Sequence, residues 1–128
     1  MKFAMLVTSS PYGEQGSSSA YQFAEAVIAE GHQLVGVFFY QQGTLNGNGL
    51  LTPAADEVNL VQAWAKLAEQ HGFGLDVCVS AALRRGVVDA PEAERAQLSH
   101  YNLAAPFALT GLGQLAELSA ACDRLVQF

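Results

Sequence analysis

Short, almost unbroken apolar runs alternate along this chain with stretches whose apolar residues recur at helical spacing. That alternation constrains the fold more than any other feature. Residues 2–8 (KFAMLVT), 34–40 (LVGVFFY) and 75–79 (LDVCV) are strand-length runs of the kind buried on both faces of a sheet. Between the first two, Ala20, Phe23, Ala24, Val27 and Ile28 fall at i, i+3, i+4, i+7 and i+8. They predict a helix from about Ser17 that Gly31 stops. Between the second and third, Leu60, Val61, Trp64, Leu67 and Ala68 form another core stripe, with Asp56 as the expected N-cap and Gly72 as the stop. Ser80–Arg85 reads as a short helical turn ended by Gly86, and residues 89–98 (DAPEAERAQL) carry proline and acids early, as a helix start does. Phe107–Thr110 reads as a strand, Gln114–Cys122 as a helix and Leu125–Phe128 as a closing strand. Strands separated by helices pair in parallel through right-handed crossovers. The expectation is a single α/β domain over residues 1–128, in three layers, with a mainly parallel sheet of about five strands flanked by helices.

Charge narrows the function. Only 14% of the residues are charged, against about 25% in ordinary soluble domains. A surface so sparing of charge is expected to bury part of itself against other subunits. The net charge of −6 and the lack of any basic run beyond Arg84-Arg85 argue against direct binding of nucleic acid or of an anionic membrane surface. No apolar stretch reaches the ~18 residues of a membrane span. Residues 3–7 are too short for a signal-peptide core and read as the first strand. With two widely separated cysteines and no secretory feature, the expected setting is the reducing cytoplasm, with free thiols.

Cys78 is the leading candidate for chemistry. In open parallel sheets reactive groups gather beyond the carboxyl ends of the strands. Cys78 falls at that edge, just before a helical turn whose free N–H groups favour a thiolate. Arg84 and Arg85 are close enough in sequence to add positive charge. The alternative is a buried packing cysteine in an apolar strand. Cys122, in Ala120-Ala121-Cys122, reads first as a small packing residue and second as a resolving partner for Cys78. His32, His71 and His100 have no ligand spacing, so no metal site is expected, and there is no C-x-x-C. The Ser- and Gly-containing segment 9–19 could cradle a phosphate of a flavin or nucleotide. It lacks both G-x-G-x-x-G and G-K-[ST], and reads more simply as a strand-to-helix turn capped by Ser17 or Ser18. The long loop 41–55, rich in Gly and Asn, is expected to wall the cysteine or contact other subunits.

The opening KFAMLVTSSPYGEQGSSSAYQFAEAVIAEGH resembles the TusD/DsrE family of sulfur-relay proteins. So do VFFYQQG, LTPAADE and CVSAALRRGVVD in the middle and TGLGQLAELSAACDRLVQF at the end, so that the likeness covers essentially the whole chain. It is nearer to the TusD branch, sulfurtransferase subunits of tRNA 2-thiouridine synthesis, than to the DsrE branch of sulfur oxidation. The resemblance implies that Cys78 accepts a sulfane sulfur and carries it as a persulfide. It further implies TusB-like and TusC-like subunits in a dimer of heterotrimers, a TusA-like donor, a TusE-like acceptor, and no bound metal or organic cofactor.

Overall fold

The computed structural model describes residues 1–128. Five strands, β1 (Lys2–Val7), β2 (Gln33–Phe39), β3 (Gly74–Cys78), β4 (Ala108–Thr110) and β5 (Arg124–Gln127), form one sheet in the order β4-β3-β2-β1-β5. Every neighbouring pair is parallel. The expected three-layer α/β architecture is present, with a sheet that is wholly parallel.

Sheet order decides which helix covers which face. From β1 to β4 the chain steps steadily in one direction, and helices α1 (Gly16–Ala29) and α2 (Leu60–His71) pack together on one face. To reach β5 the chain returns past β1, so helix α5 (Leu112–Ala121) crosses the opposite face, as right-handed connections require. Short helices α3 (Val79–Leu83) and α4 (Ala90–Arg95) lie in the connection from β3 to β4.

The two faces are unequally filled. The α1/α2 side holds a core of 19 buried residues, centred on Trp64, Met5, Val7, Val37, Phe39, Leu75 and Val77. Trp64 packs edge-on to both Tyr21 and Phe39, at ring separations of 5.2 and 5.5 Å. The α5 side holds only Ala4, Phe38, Cys78, Ala81 and Leu118, edged by partly buried Leu6, Val35, Tyr40, Leu115 and Cys122. Leu118 lies so close over Gly36 that no Cβ would fit there without moving the leucine. One helix of ten residues cannot cover five strands, and Leu112 and Leu125 remain exposed.

Helix starts differ in detail from the sequence pattern. The α2 helix is capped by Asn59, whose side chain accepts the Gln62 N–H at 3.1 Å, and not by Asp56. Residues near Asp56 instead form a turn in which the Glu57 N–H bonds the Ala54 carbonyl at 3.0 Å. At its other end Gly72 takes the left-handed conformation expected of a helix stop. For α1, neither Ser17 nor Ser18 is the cap: the helix begins at Gly16, and the buried Ser17 hydroxyl donates back to the Ser9 carbonyl at 2.7 Å. The long loop is partly ordered into a 3-10 segment, Gln41–Gly47. No helix is long and apolar enough to cross a membrane.

Candidate functional site

Cys78 is the last residue of β3 and the cap residue of α3, so the strand delivers its side chain to the carboxyl edge of the sheet. Strand side chains alternate between faces. Leu75 and Val77 enter the large core, which leaves Asp76 and Cys78 on the thinly covered α5 face. There the thiol is 4% exposed and packs with Phe38, Ala81 and Leu118. It is free, with no disulfide partner. The first backbone N–H groups of α3 have no partner within the helix, but the Cys78 side chain accepts no capping hydrogen bond from them.

Two polar groups share that face. Asp76 is half-buried, its pKa raised by burial, and the Gln114 side-chain amide donates to its Oδ2 at 3.4 Å, which partly opposes the rise. Thr110 ends β4 in direct register with Cys78, so the two side chains project to the same side. Its hydroxyl oxygen is buried and has no hydrogen-bond partner. The alternation along residues 75–79 already places Asp76 on the cysteine's side. Nothing local in the sequence sets the register that brings Thr110 there.

Arg85 is engaged away from the sulfur, and Arg84 is exposed. The Arg85 Nε–H donates to Gln42 Oε1 at 2.6 Å, and Nη1 donates to the Ala81 carbonyl at 3.0 Å. Arg85 therefore ties α3 to the 3-10 segment. That segment is the part of loop 41–55 that packs against α3, and it does so from the α1/α2 side of the carboxyl edge. Gly43 approaches the Val7 carbonyl so closely that any side chain would strike backbone.

Cys122 stands apart from Cys78. Beyond β4, the ten residues of α5 carry the chain about 15 Å back toward the amino edge. Cys122 ends that helix, and Asp123 next to it bonds the backbone of Lys2 at the start of β1. Disulfide bonding needs Cα atoms within about 7 Å. A role for Cys122 as intramolecular resolving partner is excluded by this placement. Its thiol donates weakly to the Ser119 carbonyl at 3.5 Å.

The Ser-rich segment lies at the switch point between β1 and β5, where a doubly wound fold receives phosphates. Here the position is filled from within. The Ser10 N–H donates to the Glu14 carboxylate at 2.8 Å, and these bonds hold the Glu14 pKa below its ordinary value. Thr8 N–H and hydroxyl both bond the Phe128 carbonyl, at 2.8 and 3.1 Å. The fully buried Asn46 amide donates to Ser9, Ser17 and Gly43. A carboxylate seated on the loop's own donors repels an incoming phosphate, which disfavours the flavin or nucleotide reading. Of the histidines, His32 and His71 line one surface cavity at the amino edge, while His100 lines another near Leu83. No group of three or more metal-ligating side chains comes together.

A wholly parallel α/β sheet bearing a single free thiol at its carboxyl edge defines the class: a small thiol-bearing α/β domain. Residues 1–128 match the DsrE/DsrF-like family throughout, and the chain belongs to that family, whose members are sulfur-transfer proteins. Its fold is that of the ychN protein from E. coli, with a TM-score of 0.79 at 17% identity, covering 100% of this chain and 99% of that one. A conserved protein of unknown function from Bacteroides thetaiotaomicron, BT1422, is more distant, with a TM-score of 0.57 at 10% identity over 98% of this chain and 94% of that one.

Proposed function

We propose that this chain is a sulfurtransferase subunit that receives sulfane sulfur on Cys78 as a persulfide and relays it to a partner protein, for 2-thiouridine modification of tRNA. The observation that carries the reading is the position of Cys78, at the junction of β3 and α3 in a member of a sulfur-transfer family. The chemistry is thiol–persulfide exchange. A Cys78 thiolate attacks the outer sulfur of a donor persulfide, the new S–S bond forms as the old one breaks, and the donor departs as a thiolate. No metal or organic cofactor is needed for this exchange. Helix-end N–H groups favour sulfur anions on either side of the step.

Because Cys78 is nearly buried, such a relay requires partner proteins to open or reshape the site. Exposed Leu112 and Leu125 on the thin α5 face, with the low charge of the whole chain, support docking of TusB-like and TusC-like subunits there. A TusA-like donor and a TusE-like acceptor complete the scheme. The net charge of −6 fits a subunit that leaves the RNA to others.

The test is genetic and chemical together. In cells lacking this chain, 2-thiouridine in tRNA is expected to disappear and to return with the wild type or Cys122→Ser, but not with Cys78→Ser. Unchanged 2-thiouridine in the deletion strain, with a defect in sulfur oxidation instead, assigns the chain to the DsrE type of carrier.

A further inference from the structure

A buried hydroxyl without a partner is costly, because its hydrogen bonds to water are lost and nothing replaces them. Thr110 Oγ1 is in that position. It lies on the strand beside Cys78, in register with it, on the same face of the sheet. Mere packing does not explain the hydroxyl, since valine has nearly the same shape without the unpaired donor.

We propose that the Thr110 hydroxyl is the hydrogen-bond donor that holds the terminal sulfur of a Cys78 persulfide, and that it is left unpaired in the unloaded chain because its acceptor is the cargo. This inference rests on the reading of Cys78 as the sulfur carrier. Neighbouring strands are about 4.8 Å apart, which is too far for a strong bond between the hydroxyl and Sγ. Loading adds a second sulfur about 2.05 Å beyond the first, long enough to shorten that gap.

The step balances without any oxidant. The Cys78 thiolate attacks the outer sulfur of a donor R–S–SH, the Sγ–S bond forms, and the inner sulfur leaves as R–S⁻ with the electron pair of the broken bond. The outer sulfur keeps its hydrogen until Cys78–S–SH loses it to solvent, giving the anion Cys78–S–S⁻ that the hydroxyl then holds. Asp76, two residues back on the same face, is half-buried and acceptor-rich, and accepts from Gln114 of α5. A donor on the neighbouring strand can therefore offset its unfavourable field at a loaded anion.

The experiment uses the full chain and a glutathione persulfide/glutathione mixture of fixed ratio. After alkylation, intact mass gives the fraction carrying one added sulfur. A hydrogen bond to an ionised group is worth enough to change an equilibrium roughly tenfold or more. Thr110→Val is expected to lower the loading constant by about that factor, while Thr110→Ser stays within about twofold of wild type. The thermal midpoint of unloaded Thr110→Val is expected to equal or exceed that of wild type, which a structural hydroxyl would not permit. Equal loading of wild type and Thr110→Val overturns the inference while leaving the Cys78 reading intact. So does Thr110→Ser loading as poorly as Thr110→Val. If wild type gains no sulfur, or gains it equally as Cys78→Ser, the Cys78 reading fails and the inference falls with it.

Discussion

Asp76 and Cys78 are neighbours on one face of β3, yet they meet different demands. Burial raises the Asp76 pKa, so the folded chain holds that proton more tightly than the unfolded chain, where the carboxyl titrates near its ordinary value of about 3.9. In the window above that value the native state binds more protons, and stability falls as pH rises through the native pKa. The penalty is fully present above the native pKa and absent once both states are protonated. Asp76→Asn, which keeps an acceptor for Gln114, is expected to raise the thermal midpoint at pH 7 and to lose that advantage in acid. An equal shift at both pH values would mean that the charge is not the cause. The thiols differ by access: Cys78 is 4% exposed and Cys122 partly so. Brief iodoacetamide treatment of the folded chain, read by peptide mapping, is expected to label Cys122 first.

Among the elements, the carboxyl edge is built from segments that sequence patterns describe unequally. Helical spacing identifies α1 and α2 because their stripes face a deep core, and β1 to β3 are plain because both of their faces are covered. Helix starts are less legible, because Asp56 and Asn59 are equally good caps and only packing chooses. Tyr12 makes that choice visible: its hydroxyl donates to the Val58 carbonyl at 2.7 Å and accepts the Leu60 N–H at 3.2 Å, pinning the first turn of α2. The place of Cys78 at the carboxyl end of β3 is legible in the strand pattern, whereas that of Thr110 beside it is not, since β4 has three residues and its register is set by β3. The 3-10 segment hides behind a loop-like composition. Gly43 faces the Val7 backbone there, and Asn46 spends its amide on three oxygens. Gly43→Ala is expected to cost about 1–3 kcal/mol or more through overpacking against backbone that cannot move away. Asn46→Ala should cost about 1–3 kcal/mol by stranding buried acceptors. Urea unfolding midpoints test both, and an unchanged midpoint for either would show that the segment does not brace the edge.

At the scale of the whole molecule, strand order separates the two jobs of the sheet. One face is closed by α1 and α2 and supplies stability; the other is thinly covered by α5 and carries the thiol at its rim. Leu125 faces that second side beside β1, and Leu125→Asp is expected to weaken assembly with partner subunits, read by co-elution, with little change in the thermal midpoint of the isolated chain. Everything proposed for the molecule depends on sulfur residing on Cys78. Intact mass after incubation with a persulfide donor tests this most directly, followed by addition of a thiol acceptor. The expected result is a gain of one sulfur that the acceptor removes, absent in Cys78→Ser and retained in Cys122→Ser. Sulfur that follows Cys122, or that no thiol can retrieve, would contradict a relay through Cys78.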